Sequence, residues 1–208
     1  MTSTKSIPGP VRRREIARAA RSILAEKGME GLRTRAVADA VGINIATLHY
    51  HVGCKDGLLK LVTEAIRDDF VAMHVTRPRE GLSASACLRL EFIEYRDIRA
   101  ANSETVRALA ELKRQATRDS SVAALLAPLR KAWREDFREI LKDGRATGEF
   151  RADLDPETFA DIIIATLDAY GNDEAYAETK AMSRLFSELF KSVLAPPQKE
   201  DFREFQFD

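Results

Sequence analysis

The apolar residues of this 208-residue chain recur at helical intervals, with no strand-like alternation of useful length. The clearest stripe near the N-terminus predicts a first helix over residues 11–27. Its members, spaced i, i+4, i+7 and i+8, are Ile16, Ala20, Ile23 and Leu24. Residues 55–73 show the same kind of spacing. A helix of about 20 residues spans about 30 Å, which is long enough to join two parts of the protein.

Five further helical segments follow a break at residues 77–81, which contain proline and glycine. They are predicted over residues 83–101, 103–118, 121–145, 156–171 and 174–194. Asp155-Pro156 is a strong start signal, because aspartate caps free backbone N–H groups and proline suits the first helical position. Ala195-Pro196-Pro197 ends the last helix. The pattern therefore predicts an all-α fold.

Residues 34–60 carry the most specific local pattern in the chain. Two short helices, over 34–41 and 45–51, are predicted on either side of a turn at Gly42, with Thr34 and Asn44 as their capping residues. Another helix begins at once near Lys55. A helix-turn-helix of this kind presents its second helix to the DNA major groove.

These elements predict four parts along the chain. Residues 1–10 form a flexible arm, 11–54 a three-helix helix-turn-helix DNA-binding domain, and 55–195 a C-terminal helical ligand-binding and dimerisation domain. The connecting helix opens this second domain. Residues 196–208 form a tail for which the sequence predicts no role.

The charge distribution supports a polyanion partner for the first part only. The formal net charge is zero, but residues 1–60 hold eleven Lys/Arg against five Asp/Glu. The remainder of the chain is correspondingly acidic. A basic N-terminal third on an acidic body is typical of a nucleic-acid-binding head attached to a domain with another task.

Cysteine usage and hydropathy indicate a cytoplasmic protein. Two cysteines, Cys54 and Cys87, cannot build a disulfide framework, and no signal peptide precedes them. The longest apolar run, Val122 to Leu129, is far shorter than the ~18 residues that a membrane span needs.

The third helix offers small residues at its start and polar or aromatic ones further along. Short side chains allow close entry into the groove, and the polar ones can donate to phosphates or base edges. These candidate DNA contacts are Asn44, Ile45, Ala46, Thr47, His49, Tyr50 and His51. Leu48 is expected to point inward against Val37 and Leu58. The alternative is a short solvated surface helix with no partner.

Two cations outside this helix complete the candidate surface. Arg35, near the start of the second helix, can reach a guanine. Lys55 adds its charge to the N-terminus of the fourth helix, where free N–H groups already favour a phosphate.

The ordered submotifs ILAEKGMEGL, TRAVADAVGI, TLHYHV and KDGLL closely resemble the N-terminal domain of the TetR family of transcriptional regulators. The resemblance covers about residues 12–62 without a gap, whereas the rest of the chain fits that family's second domain in length and class only. It implies Thr34 and Arg35 near bases or phosphates, residues 44–51 as the recognition helix, and phosphate contacts from Thr47, His49 and Lys55.

Three positions depart from the family pattern. His49 stands where the family usually has tyrosine, so this contact is expected to depend on pH. Val52 replaces a more common aromatic residue. Cys54 occupies the place of a small polar helix cap, as either a half-exposed structural thiol or a redox sensor beside the DNA.

The last two helices carry more apolar surface than one core face requires. The resemblance implies that the surplus packs against the same pair in a second subunit as a four-helix bundle, while a monomeric core is the alternative. The predicted interface residues are Phe159, Ile163, Leu167, Tyr170, Leu185, Phe186, Leu189, Phe190 and Val193.

Aromatic residues in the body suggest a pocket for a small apolar or aromatic ligand. The resemblance places the lining at Phe70, Met73, His74, Phe92, Tyr95, Leu112, Trp133 and Phe137. At helical spacing such residues also suit an ordinary core. Glu91, Glu94 and Asp97 are expected on a solvated acidic face, with cation binding as the alternative.

The sequence thus predicts a homodimeric, ligand-responsive transcriptional regulator, most simply a repressor released from a palindromic operator. A DNA-binding dimer without an inducer remains the alternative. An enzyme is disfavoured, since the chain lacks GxSxG, HExxH and a Gly-rich phosphate loop and has three histidines. No cofactor and no metal site are expected, because His49 and His51 do not share a helix face.

Overall fold

The computed structural model describes residues 9–76, 79–101, 104–171 and 179–196, and the side chains of these except 73–76, 170–171 and 179–180. Within this part of the chain the fold is all-α, as predicted, with one isolated antiparallel bridge between Phe150 and Leu194. The helices are α1 (Gly9–Gly31), α2 (Thr34–Val41), α3 (Ile45–Val52), α4 (Lys55–Thr76), α5 (Ala84–Ala100), α6 (Glu104–Ala116), α7 (Ser120–Thr147), α8 (Pro156–Gly171) and α9 (Thr179–Val193).

The ends of some helices differ from the prediction. Gly9 and Pro10, assigned to the flexible arm, open α1, and α1 continues to Gly31 across a kink at Gly28. The last helix was expected from residue 174 and is described from Thr179. Most of the predicted arm and tail, residues 1–8 and 197–208, lies outside the described residues.

The chain forms two compact units. The first comprises Met1–Arg77 with Ser103–Pro128, and the second comprises Pro78–Asn102 with Leu129–Asp208. The first unit therefore groups α4 and α6 with α1–α3, whereas the predicted boundary falls between α3 and α4. The division within α7 falls at Pro128, which lacks the N–H that an internal helical position would donate.

The core of the first unit is built from one buried stripe on each of its helices. The predicted stripe on α1 is buried, and Leu48 is the fully buried residue of α3, as expected. Prominent members of this core are Ile16, Ala20, Leu24, Leu32, Val37, Leu48, Leu58, Val62, Ile66, Ala108, Leu112 and Val122.

The second unit has an aromatic core. The rings of Phe92 and Phe186 stack with their centroids 4.8 Å apart, and Phe137 lies 6.3 Å from Phe92. Phe150 and Phe190 are also buried here. The predicted start of α8 is confirmed, since the Asp155 carboxylate accepts from the backbone N–H of Thr158 at 3.3 Å.

The expected solvated acidic face on α5 is wrong for two of its three carboxylates. Glu91 and Glu94 are each only 4% exposed, and both accept from Nη2 of Arg79, at 2.5 and 2.8 Å. Removing carboxylates from water is costly unless a charge partner replaces the water. The guanidinium is that partner, and it comes from outside α5.

Burial has a direct effect on the protonation of this cluster. It raises the pKa of Glu91 to about 7, against the opposing attraction of Arg79 and with a further rise from the nearby Glu94 charge. Between about pH 4.5 and 7 the folded protein therefore holds a proton on Glu91 that the unfolded chain has already lost.

No helix within the described residues is both long enough and apolar enough to cross a membrane.

The raised pKa of Glu91 predicts that the stability of the protein depends on pH. A raised folded-state pKa contributes stability below the unfolded value of 4.5, and that contribution is lost as the pH rises through about 7. We expect Glu91→Gln to lack this decline, which amounts to up to about 3 kcal/mol. Urea unfolding at several pH values measures it. Glu188→Gln, at an exposed carboxylate of the same unit, should decline like the wild type, and a Glu91→Gln slope equal to both would contradict the prediction.

Candidate nucleic-acid interface

Helix α3 has one buried side and one bare side. Leu48 anchors it to the core, while Tyr50 is 84% exposed and Ile45 is 39% exposed. Of the other predicted contacts, Asn44, Ala46 and His49 are exposed, and Thr47 and His51 are partly exposed. A largely exposed tyrosine and an exposed isoleucine on so short a helix indicate a surface that a partner covers.

The turn before α3 fixes how this helix leaves α2. Gly42 adopts a left-handed conformation with φ 71° and ψ 36°, and its neighbour Ile43 donates from its N–H to the carbonyl of Ala38 at 3.0 Å. The Asn44 side chain accepts from the N–H of Thr47 at 2.7 Å, which confirms its predicted capping role. The same prediction for Thr34 is wrong, because Arg33 is the N-cap residue of α2 and makes no side-chain cap.

The C-terminal end of α3 is held by two polar contacts. Arg13 of α1 donates to the carbonyl of His51 at 2.7 Å. The Nδ1 atom of His49 lies against the carbonyl of Gly53, which can only accept, so Nδ1 carries the proton. In the neutral ring Nε2 is then unprotonated, and only the imidazolium can donate a second N–H to a phosphate.

Lys55 is exposed at the first position of α4, as predicted, and it already has a partner. Its ammonium donates to the carbonyl of Met29 at 2.9 Å. Since an ammonium carries three N–H bonds, two remain for a phosphate. Arg35 is exposed and Thr34 partly exposed, on the first turn of α2.

The basic start of α1 was not among the predicted contacts. Arg13 lies next to the end of α3, and Arg14 and Arg18 are also exposed. The run of three arginines at 12–14 was visible in the sequence, but only the contact with His51 brings it to the α3 surface. We add Arg13 and Arg14 to the candidate interface.

The thiol of Cys54 is exposed, which exceeds the half-exposed state expected of a structural cysteine. Its backbone N–H donates to the carbonyl of Val52 at 2.9 Å in the short link between α3 and α4.

The predicted ligand-lining residues fall into two groups. Phe70 and Leu112 belong to the first unit, whereas four others pack in the aromatic core of the second. These four are Phe92, Tyr95, Trp133 and Phe137. Phe92 and Phe137 are fully buried, so the core interpretation describes their packing. The side chains of Met73 and His74 lie outside the described residues.

Tyr95 is the polar member of this aromatic core. Its ring stacks on Trp133 with centroids 5.7 Å apart, and its hydroxyl donates to the carbonyl of Leu167 at 2.6 Å. Burial raises the pKa of Tyr95 to about 12. The phenol therefore stays a hydrogen-bond donor at any physiological pH.

Most predicted interface residues are buried within their own chain. Phe159, Ile163, Leu167, Phe186, Phe190 and Val193 lie in the core of the second unit. Leu185 and Leu189 are partly exposed, and the side chain of Tyr170 lies outside the described residues. The outer face of α8 instead presents Ile162, which is 43% exposed, with exposed Ala165 and Ala169. The sequence pattern did not separate these two faces of α8.

Together, the capped α2–α3 turn, the anchored Leu48 and the bare outer face of α3 define a helix-turn-helix protein. Comparison with known proteins agrees. Residues 16–62 match the family model described as bacterial regulatory proteins of the tetR family, and residues 93–169 match the tetracyclin repressor-like C-terminal domain. The two regions together make up more than half of the chain.

A curated relative that matches most of the chain agrees, and solved structures show the same fold. The HTH-type transcriptional repressor KstR2 of Rhodococcus jostii (strain RHA1) is 28% identical over 147 residues, which are 70% of this chain and 71% of that protein. A TetR-family structure from Rhodococcus sp. has a TM-score of 0.81 at 24% identity, over 89% of this chain and 100% of that chain. The ketosteroid transcriptional regulator KstR2 of Mycobacterium tuberculosis has a TM-score of 0.62 at 19% identity, over 93% and 98%.

The chain belongs to the TetR family of transcriptional regulators. It is a DNA-binding regulator, and its family is not one of enzymes.

The exposure of Tyr50 predicts a separation of stability from DNA binding. Tyr50→Ala removes only an edge contact with the His51 ring, so the free energy of unfolding should change by less than about 0.5 kcal/mol. DNA affinity should fall about five- to tenfold if the ring or hydroxyl contacts the duplex. Val71→Ala, at an exposed apolar residue of α4, serves as the control in fluorescence anisotropy. Equal affinity of both variants and the wild type would remove Tyr50 from the interface.

Proposed function

We propose that the protein is a homodimeric repressor that a small molecule releases from a palindromic operator. The observation that carries this proposal is the eight-residue α3, buried on one side at Leu48 and bare on the other. Such a repressor acts on chromosomal DNA and therefore works in the cytoplasm. The similarity to proteins named as repressors supports the negative sign of regulation.

In this proposal α3 enters the major groove with its exposed face. Tyr50 and Ala46 approach base edges, while Thr47, His49 and Lys55 bind phosphates on either side of the groove. The remaining contacts are assigned to Thr34, Arg35, Asn44, Ile45 and His51, with Arg13 and Arg14 of α1 added from the structure.

Dimerisation would provide the second recognition helix that a palindromic operator requires. Two recognition helices must lie about 34 Å apart to occupy successive major grooves, and a two-fold dimer matches the symmetry of a palindrome. We assign the dimer face to Ile162, Ala165 and Ala169 of α8, with Leu185 and Leu189 of α9. An isoleucine that remains 43% exposed and is followed on the same face by two exposed alanines suits close approach of a second helix.

The ligand is proposed to be apolar or aromatic and to enter among the aromatic residues of the second unit. Phe92, Tyr95 and Trp133 would have to move apart to admit it, so ligand binding and a change of conformation are linked. A difference of ~2–3 kcal/mol in ligand affinity between the two conformations lowers DNA binding about 30- to 150-fold. A relative described as a ketosteroid regulator supports an apolar ligand class.

A DNA-binding dimer without an inducer is the second candidate. The tight stacking of Phe92 on Phe186 favours it, because a filled core needs no ligand. A small molecule that weakens the DNA complex would decide against this candidate.

The DNA-binding proposal is tested by selection from a random duplex pool with the purified protein at ~150 mM salt, where non-specific binding is weak. We expect enrichment of a near-palindrome with half-sites about 10 base pairs apart. A folded protein that enriches no sequence would contradict the proposal.

The dimer proposal predicts that a charge on α8 separates the subunits. Ile162→Glu should convert the dimer to a chain of 23.3 kDa and weaken operator binding, because a buried carboxylate at the interface would have no partner. Sedimentation analysis gives the mass. Leu82→Glu, at an exposed apolar residue of the same unit, is the matched control. A dimeric Ile162→Glu variant would refute the assigned face.

A further inference from the structure

The residue Met29 occupies a sharp bend in α1. Its neighbour Gly28 adopts φ 63° and ψ −168°, a conformation essentially restricted to glycine. A Cβ atom at Gly28 would also come within 3.1 Å of the Glu111 carboxylate. The bend leaves the N–H of Met29 available to a side chain from another helix.

Both backbone polar atoms of Met29 are used by other helices. Its N–H donates to Oε1 of Glu111 on α6 at 3.0 Å, and its carbonyl accepts from the Lys55 ammonium on α4 at 2.9 Å. All three residues belong to the first unit. A single residue thus joins a carboxylate of α6 to a cation of the candidate DNA surface.

The Glu111 carboxylate is well placed to hold the Met29 N–H. Its side chain is 14% exposed, and its second oxygen accepts from Nε of Arg114 at 3.0 Å. The two carboxylate oxygens therefore have separate tasks, one toward Arg114 and one toward Met29. Although burial acts in the opposite direction, these hydrogen bonds hold the pKa of Glu111 below its usual value. The charged acceptor persists across neutral pH.

We propose that Glu111 is a positioning residue for DNA binding: by holding Met29 it fixes the carbonyl that orients the Lys55 ammonium. The proposal deepens the proposed function and rests on its assignment of Lys55 as a phosphate contact. A displacement of α6 that moves Glu111 shifts Met29 and takes the acceptor away from Lys55. The Lys55 ammonium is then no longer held in the orientation that binds the phosphate.

The chain contains a matched control for this contact. Glu104, the first residue of α6, also reaches α1, where it accepts from the Ser22 hydroxyl at 3.1 Å and lies 4.0 Å from Nε of Arg21. It ties the same two helices together with the same chemical group and does not touch Met29. Loss of Glu104 therefore reports the cost of weakening α6 against α1 in general.

The experiment measures affinity by fluorescence anisotropy, with the full chain and the duplex enriched from the random pool. Glu111→Ala should weaken binding about tenfold, and Glu104→Ala less than about twofold. Glu111→Gln keeps an oxygen that can accept from Met29, so it should stay within about threefold of the wild type. The slope of log affinity against log salt should flatten by about one per subunit in Glu111→Ala, as in Lys55→Ala.

The double variant separates positioning from general loss of structure. In a Lys55→Ala background, Glu111→Ala should cost less than about a further twofold, because the cation that it orients is gone. If thermal unfolding shows that Glu111→Ala is not folded, Glu111→Asp replaces it. Aspartate keeps the charge but is one methylene too short to reach Met29, and it should bind DNA like Glu111→Ala.

Each remaining outcome overturns the proposal. Wild-type affinity in Glu111→Ala, an undiminished loss in the Lys55→Ala background, or an equal loss in Glu104→Ala would show that Glu111 does not act through Lys55. Unchanged binding by Lys55→Ala alone would do the same. A wild-type protein that binds no DNA would overturn the proposed function as well, so the two failures are distinguishable.

Discussion

A helix of eight residues does not hold its own conformation in water, and α3 is such a helix. It exists because Leu48 is buried on one side and the Asn44 side chain satisfies an N–H group at its start. The side opposite Leu48 is largely exposed. It is therefore free to carry residues chosen for a partner, and there the chain places Tyr50, 84% exposed.

The rest of the first unit follows from this constraint. Helices α1, α2 and α4 all contact α3, and α1 and α4 also bring charge to its rim. Arg13 binds the last turn of α3 through the His51 carbonyl, and Lys55 begins α4 beside it in sequence. Because Met29 ties Lys55 to Glu111, α6 is connected to this rim through hydrogen bonds as well as through apolar packing.

The sequence predicted the structure correctly where a local pattern alone determines it. Leu48 was predicted inward from its place on a short amphipathic helix, and Asp155-Pro156 marked a helix start without reference to the rest of the fold. Prediction from the sequence failed where a side chain is paired with a residue outside its own helix. Glu91 and Glu94 look like a solvated face until Arg79 is placed against them, and no spacing rule places a residue from outside the helix.

Two further limits concern which apolar side faces which neighbour. On α8 the periodicity identified the apolar positions, but Ile163 proved to be core and Ile162 outer surface, a distinction of one residue. Aromatic residues at helical spacing suit both a pocket and a core, and Phe92 is stacked on Phe186.

Thr34 was expected to cap α2, yet the helix begins after Arg33, since helix starts shift easily by one residue.

The central claim is that two copies of α3 occupy successive major grooves. Methylation interference on the selected duplex tests it directly, because the reagent marks guanine N7 in the major groove and adenine N3 in the minor groove. The account predicts interference by N7 methylation in two clusters with centres about 10 base pairs apart. A single cluster, or interference confined to adenine N3, would contradict it.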